Sequence, residues 1–290
     1  MNRIKQTFNE LKKNNKKAVG IFLTAGDPDF KSSLNLIKKL PENGVDFIEI
    51  GMPFSDPMAD GPSIQLSSQR ALKSGTNLTK CLSLVENFRK KNNHTPIILM
   101  GYYNPIYKFG KIKFINKCLD IGVDGLIIVD LPPEEDEEFY VEAERNKLSV
   151  IRLVTPTTDE KRLNKILFNA TGFVYYVSIT GITGTQSPNV ANVSINLKKI
   201  TTVTDLPVVI GFGIRSPSHA SSMANISDGI VVGSAVVDLI KSSLDNEDNP
   251  TKQTLNSCLD FIGKVAENVK HNEALLYIYV ENKEFRIELD

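Results

Sequence analysis

The sequence FIEIGMPFSDPMADGP, residues 47–62, joins a short apolar run to a long loop that contains three prolines, the last of them Pro62. Phe47–Ile50 is too short for a typical helix and is almost wholly apolar, so it predicts a strand buried on both faces. Seven similar runs occur in the chain, at Val19–Thr24, Pro96–Met100, Gly125–Val129, Val150–Val154, Phe173–Val177, Val208–Gly211 and Gly229–Val232.

Each run is followed by a segment with helical periodicity. These segments are Ser32–Leu40, Leu78–Phe88, Phe114–Ile121, Glu134–Arg145, Asp159–Phe168, Ile195–Val203, Pro217–Ala224 and Ala235–Ile240. Eight βα units in a chain of 290 residues favour a closed barrel over an open doubly wound sheet. We therefore predict an α/β fold, the (β/α)8 TIM barrel.

Two additions frame the predicted barrel. Residues 2–14 form a helix that is expected to cover the N-terminal end of the barrel, and Thr251–His271 forms a further amphipathic helix. We expect one TIM-barrel domain over residues 1–272. Residues 273–290 form a C-terminal tail, predicted either as a β-hairpin of Leu276–Val280 and Glu284–Leu289 or as a disordered segment.

Composition narrows the classes of function. Apolar residues make up 41% of the chain and the net charge is zero, so neither nucleic acid nor an acidic membrane surface is predicted as a partner. With no long apolar span and no apolar signal region, the chain is expected to be soluble and cytoplasmic. Cys81, Cys118 and Cys258 are too far apart in sequence to indicate a disulfide framework or a zinc site.

Glu49 is the first candidate site residue, because barrel active sites lie at the carboxyl ends of the strands. It alternates with Phe47 and therefore shares its face, which places a carboxyl group inside the barrel if Phe47 points inward. Burial there raises a carboxyl pKa toward the range that is useful for proton transfer. The alternative is a structural salt bridge at a strand end.

Asp60 is the second candidate, eleven residues further along in a loop stiffened by Pro53, Pro57 and Pro62. Long loops after barrel strands often supply substrate contacts. An isolated aspartate in such a loop is as often a turn former or a helix cap. Two carboxyl groups at one barrel mouth are stronger evidence for an active site than either of them alone.

Glycines at the ends of the last two strands indicate a phosphate site. Gly211-Phe212-Gly213 and Gly233-Ser234 stand where barrels of this kind usually bind phosphate, and glycine lets backbone N–H groups approach an anion. Plain tight turns are the alternative. Gly181–Thr185 provides another flexible loop that is expected to close over the site.

Residue types that are missing from the strand ends narrow the chemistry further. No strand ends in the lysine that a Schiff-base aldolase needs, and His94, His219 and His271 do not gather into a metal site. Tyr102, Tyr175 and apolar groups remain beside the two carboxyl groups. This set suits general acid–base work on a phosphorylated substrate with an apolar body, without a metal or cofactor in this chain.

The motifs in residues 47–62 closely resemble the signature of tryptophan synthase α subunits. Other landmarks that look like the same family are Thr24–Pro28, Tyr102–Pro105, Gly181–Gly184 and Gly211–Ile214, and the resemblance covers about residues 1–270. It implies a carbon–carbon lyase of tryptophan biosynthesis, which cleaves indole-3-glycerol phosphate to indole and glyceraldehyde 3-phosphate.

The resemblance also implies roles for individual residues. Glu49, Asp60 and Tyr175 are expected to be catalytic. The expected substrate-binding residues are Phe22, Tyr102 and Phe212 beside the indole, with Thr183, Gly184, Gly213, Gly233 and Ser234 toward the phosphate.

The family further implies a β subunit that carries pyridoxal phosphate, in an α2β2 heterotetramer. The loops at Pro53–Asp60 and Ile179–Asn189 are expected near that interface, with Asp56 as a contact. Two alternatives remain: another phosphate-binding barrel enzyme, and a non-catalytic barrel that only binds and activates a β subunit. The second would be marked by the loss of Glu49 or Asp60, and both are present.

Overall fold

The computed structural model describes residues 2–135, 137–178, 190–270, 276–280 and 283–287. The main sheet of this described part is wholly parallel. Its strands are β1 (Ala18–Thr24), β2 (Phe47–Gly51), β3 (Ile97–Gly101), β4 (Gly125–Ile128), β5 (Ser149–Val150), β6 (Arg152–Val154), β7 (Val174–Val177), β8 (Val208–Gly211) and β9 (Gly229–Val232).

The sheet closes into a barrel because its two edge strands are consecutive in the chain. Its hydrogen-bonded order is β5-β4-β3-β2-β1-β9-β8-β7-β6, and only Ile151 separates β5 from β6. These two short strands are the halves of the strand predicted at Val150–Val154: the first pairs with β4 and the second with β7. The result is an eight-stranded barrel, which confirms the predicted (β/α)8 fold.

Helices surround this barrel. They are α1 (Arg3–Lys13), α2 (Phe30–Lys39), α3 (Pro62–Lys73), α4 (Leu78–Arg89), α5 (Tyr103–Phe109), α6 (Lys111–Ile121), α7 (Glu137–Arg145), α8 (Glu160–Leu167), α9 (Val190–Thr201), α10 (Pro217–Asn225), α11 (Ser234–Ser242) and α12 (Lys252–Lys270). None of these described helices is long and apolar enough to cross a membrane.

The apolar core forms two layers. The larger layer lies between strands and helices, and a smaller one fills the barrel interior. Ile4 and Phe8 of α1 belong to the inner layer, where the Phe8 ring lies 6.0 Å from that of Phe47 and 5.7 Å from that of Phe173. Helix α1 therefore covers the N-terminal end of the barrel, as the sequence predicts.

Two helices, α3 and α5, lie where the sequence pattern predicts no helix. Helix α3 buries Ser67, Ser68 and Ala71, so the sequence has no apolar stripe there to indicate a helix. Its first residue, Pro62, is the position where a helix tolerates proline best. In α5 the backbone N–H of Tyr103 donates to the Asp130 carboxylate at 2.8 Å, so a side chain that follows β4 caps this helix.

The C-terminal residues add a second sheet. Helix α12 ends at the bottom of the barrel, where Lys270 pairs with Asp46 at 2.8 Å, just before β2. Strands β10 (Leu276–Val280) and β11 (Lys283–Ile287) then form an antiparallel pair, which is separate from the barrel sheet. The division into a domain of residues 1–272 and a tail stays a prediction.

Candidate active site

Glu49 lies inside the barrel on β2. Its Cα is in register with Phe22 of β1 and with Ile98 of β3, and both partners belong to the inner apolar layer. It alternates with Phe47, another residue of that layer, as expected from the sequence. The Glu49 side chain is fully buried.

The electrostatics of Glu49 follow from this burial. Neither carboxyl oxygen has a hydrogen-bond partner among the described residues, so the predicted alternative of a structural salt bridge has no support there. Burial raises the pKa of Glu49 to about 8, because an ionised carboxylate is poorly solvated at this position. Glu49 is therefore an acid that keeps its proton at neutral pH.

The raised pKa predicts that Glu49→Gln stabilises the protein increasingly as pH rises. In the unfolded chain Glu49 ionises near its ordinary pKa of 4.5, whereas the folded state resists ionisation up to about 8. Folded stability is therefore lost as pH rises through this window, and glutamine has no proton to lose. Urea unfolding measures the free energy of unfolding of both proteins. The difference between them should shift in favour of the mutant by about 2 kcal/mol from pH 5 to pH 7. A difference that does not change with pH would contradict the raised pKa.

Asp60 lies at the end of the loop that leads from β2 to α3. The Tyr102 hydroxyl donates a hydrogen bond to the Asp60 carboxylate and accepts one from the backbone N–H of Ala59 at 3.0 Å. Burial raises the pKa of Asp60 to about 6, although the bond from Tyr102 lowers it in part. Asp60 is thus ionised at neutral pH, where Glu49 is protonated.

Tyr102 follows β3 and joins the Asp60 loop to the barrel. Its ring packs against that of Phe54 in the same loop, with 5.5 Å between ring centroids. Burial raises the pKa of Tyr102, and the negative charge of Asp60 raises it further, so the hydroxyl remains a donor. The sequence indicates an aromatic wall at Tyr102 but gives no sign of this bond to Asp60.

Tyr175 and Phe212 form the opposite wall of the mouth. The two rings meet edge to face, with centroids 6.1 Å apart. Burial raises the pKa of Tyr175, and the negative charge of Glu49 raises it further. A Cβ added at Gly211 would lie 2.0 Å from the Tyr175 hydroxyl oxygen, so glycine is required for this packing.

The turn after β8 is tight and contains two successive residues in the left-handed region. Phe212 and Gly213 both have positive φ, at 69° and 75°. The Ser178 hydroxyl holds the turn by donating to the carbonyl oxygens of Gly211 and Phe212, at 3.0 and 2.8 Å. Gly213 has no side chain, so an anion can approach the backbone N–H groups of this turn closely.

Helix α11 begins at the neighbouring strand end. Its N-cap is Gly233, which has no side chain to bond the first free N–H groups, and its first residue is Ser234. In contrast, α10 is capped by Ser216, whose hydroxyl accepts from the backbone N–H of His219 at 3.2 Å. An uncapped helix N-terminus favours a phosphate. A Cβ at Gly233 would lie 3.2 Å from the Phe22 Cβ, so this end adjoins the apolar wall.

Thr183 and Gly184, with the rest of the predicted Gly181–Thr185 loop, lie outside the described residues. Of the other predicted site residues, Asp60 lies at the end of the loop before α3, and the rest lie within a barrel strand or at most two positions after one. The fold and this pair of carboxyl groups, with pKa values near 8 and near 6, define a barrel enzyme of the acid–base class.

The comparisons with known proteins then give the family. The family described as "Tryptophan synthase alpha chain" matches residues 8–267. The chain therefore belongs to the tryptophan synthase alpha chain family. Its reaction, the cleavage of indole-3-glycerol phosphate, is a lyase activity, so the enzyme class predicted from the sequence is confirmed.

Solved structures agree with this assignment. Tryptophan synthase subunit alpha from Legionella pneumophila str. Paris is 35% identical with a TM-score of 0.85, and the match covers 93% of this chain and 98% of that one. A structure from Aquifex aeolicus VF5 is 36% identical with a TM-score of 0.83, over 93% and 100%. Tryptophan synthase from M. tuberculosis, in an aminoacrylate-bound form, is 29% identical with a TM-score of 0.82, over 93% and 100%.

Proposed function

We propose that Glu49 and Asp60 cleave indole-3-glycerol phosphate to indole and glyceraldehyde 3-phosphate by acid–base chemistry at the barrel mouth. The observation that carries this proposal is the buried Glu49 carboxyl group, which has no partner among the described residues and a pKa of about 8. A group with these properties holds a proton at neutral pH and can give it up or take it back.

Glu49 transfers the first proton. Cleavage of the carbon–carbon bond must leave a hydrogen on indole C3, so C3 is protonated by the Glu49 carboxyl group. The indole ring then carries positive charge, which is spread to its ring N–H. Glu49 is left as a buried carboxylate, a state that its surroundings disfavour and that makes it a strong base.

The second proton transfer restores the enzyme. Glu49 removes the proton from the glycerol hydroxyl next to the ring, that oxygen becomes the aldehyde, and the bond to C3 breaks. The bonding electrons return to the ring and neutralise it, which releases indole. Tyr175 keeps its own proton because of its raised pKa, so it orients the glycerol hydroxyl and does not act as a base.

Asp60 stabilises the charged intermediate. An ionised carboxylate that accepts the indole N–H offsets the positive charge that develops on the ring. Its pKa of about 6 leaves it ionised at neutral pH. Opposite protonation states in two carboxyl groups of one site match two different roles, acid and anion.

The remaining predicted residues bind the two ends of the substrate. Phe22 and Phe212 contact the indole ring from the inner layer and from the β8 turn. Tyr102 flanks the indole ring and, in addition, holds Asp60 by its hydrogen bond. The phosphate lies between the Gly213 turn and the N-terminus of α11 at Gly233-Ser234, and Thr183 and Gly184 complete its binding.

The partner follows from the family. We infer that this chain is the α subunit of an α2β2 complex whose β subunit carries pyridoxal phosphate and receives the indole. The predicted contact Asp56 is exposed in the loop that ends at Asp60, and Met58 in the same loop is 74% exposed. Contact there would place the partner beside the catalytic loop.

Indole release tests the proposed function directly. The purified chain should produce indole from indole-3-glycerol phosphate, and a β subunit should increase the rate. If the chain releases no indole in either setting but still activates the β subunit, the non-catalytic alternative is correct.

The pH profile of kcat/KM separates the two carboxyl groups. Activity needs ionised Asp60 and protonated Glu49, so kcat/KM should fall below about pH 6 and above about pH 8. Tyr102→Phe removes the hydrogen bond that lowers the Asp60 pKa, so the acid limb should move to higher pH while the alkaline limb stays in place. An acid limb that does not move in this mutant would show that it belongs to another group, such as the substrate phosphate.

A further inference from the structure

We propose that Arg70 is a positioning residue for Asp60, acting through helix α3 and a buried ion pair with Asp27. The inference rests on the proposed role of Asp60. Arg70 lies ten positions beyond Asp60 in the sequence, and it bonds the loop that follows β1. Arg70 therefore affects the reaction by fixing the backbone of α3, which in turn fixes Asp60.

Helix α3 holds the backbone of Asp60 directly. The helix begins at Pro62, two residues after Asp60. In its first turn the Gln65 side-chain amide donates to the Asp60 carbonyl oxygen at 2.8 Å. A shift or rotation of α3 therefore moves the Asp60 carboxylate relative to the barrel mouth.

The ion pair fixes α3 against the barrel. Arg70 Nε and Nη2 each donate to a separate Asp27 oxygen at 2.8 Å, and the two side chains are only 9% and 0% exposed. A bidentate pair of this kind sets orientation as well as distance, because the planar guanidinium must lie in line with the carboxylate.

Directed polar bonds matter more for α3 than for a helix with an apolar face. Its fully buried residues, Ser67, Ser68 and Ala71, are small, and Ile64 in its first turn adds one partly buried contact with the inner apolar layer. The Ser67 and Thr24 hydroxyls are 2.6 Å apart, and the Ser74 hydroxyl donates to the Gly26 carbonyl at 3.2 Å. These weaker bonds leave the Arg70–Asp27 pair as the main charged anchor of the helix.

Arg70→Lys is the principal test, because lysine keeps the charge and loses the bidentate geometry. A misplacement of about 1 Å at a reacting group can reduce the rate up to about 10²-fold. We expect kcat for indole release from the full chain to fall about tenfold, with KM for indole-3-glycerol phosphate almost unchanged, since Asp60 acts on the charged intermediate. Unchanged kcat in a folded Arg70→Lys protein would overturn the inference.

Arg89→Lys is the matched control. Arg89 and Asp124 form another buried pair, at 2.6 Å and with exposures of 8% and 4%, at the N-terminal end of the barrel before β4. This variant should lower the free energy of unfolding by a comparable amount and leave kcat and KM at wild-type values. If Arg89→Lys lowers kcat as much as Arg70→Lys does, the effect is a general loss of stability and the inference is wrong.

The Asp60→Asn background separates this inference from the proposed function. Arg70→Lys should cause no further loss of kcat there, because it acts through the Asp60 carboxylate. A full additional tenfold loss would overturn the positioning role while leaving the function intact. Normal turnover by Asp60→Asn alone would instead overturn the proposed role of Asp60, and this inference with it.

Gln65→Met provides a second variant in case Arg70→Lys fails to fold. It removes the donor to the Asp60 carbonyl, keeps a similar side-chain length and leaves the Arg70–Asp27 pair in place. It should also lower kcat more than it changes KM. Wild-type kcat in Gln65→Met would then overturn the claim that α3 positions Asp60.

Discussion

Glu49→Gln is expected to lower the rate of indole release by about 10²–10⁴-fold, while the Kd for indole-3-glycerol phosphate stays close to that of wild type. Glutamine has nearly the shape of a protonated glutamic acid, so the pocket remains filled. It can neither donate a proton to indole C3 nor take one from the glycerol hydroxyl. Single-turnover kinetics and equilibrium binding measure the two quantities separately.

Asp46→Asn is a suitable control for Glu49→Gln. Asp46 immediately precedes the same strand but lies at the opposite end of the barrel, where it binds Lys270 and the backbone N–H of Val19. Its loss should reduce stability and leave turnover intact. Near-normal turnover by Glu49→Gln would refute the assignment of Glu49 as the acid–base group.

Asp60→Asn should lower kcat by about 10²–10³-fold, the typical loss when one electrostatic contact to a charged intermediate is removed. The Tyr102 hydroxyl can still donate to the asparagine carbonyl, so we expect the loop to keep its position. The negative charge opposite the indole N–H is gone. KM should change much less than kcat, because the ring is neutral in the bound substrate.

The control for Asp60→Asn is Asp29→Asn, at the same end of the barrel. Asp29 caps helix α2 by accepting from the backbone N–H of Ser32 at 2.9 Å, and asparagine caps helices equally well. Stability and turnover should both be retained. An Asp60→Asn protein whose kcat matches that of Asp29→Asn would show that the charge of Asp60 is not needed.

The sequence predicts the strands, the barrel and the inward direction of Glu49, because all of these depend on local periodicity. Alternation with Phe47 is enough to place the carboxyl group in the inner layer. The sequence also predicts the position of the glycines after β8 and before α11, because they follow two apolar runs directly. Only the resemblance to a family, and not the residue pattern, indicates that the substrate contains an indole.

The features that the sequence does not predict depend on contacts between distant residues. The sequence does not predict helix α3, because the residues that it buries fully are serines and an alanine, which carry no apolar signal. Arg70 and Asp27 are separated by 43 positions, as are Tyr102 and Ala59. Nothing in the local sequence links such pairs, so the support of Asp60 becomes visible only in the folded chain.

Proton exchange at indole C3 tests the central claim most directly. Indole bound with glyceraldehyde 3-phosphate in D₂O should exchange its C3 hydrogen for deuterium on the wild-type protein, because Glu49 protonates that carbon. NMR follows the loss of the C3 proton signal. The account predicts that Glu49→Gln reduces this exchange to the rate of free indole. Exchange at the wild-type rate in Glu49→Gln would contradict it.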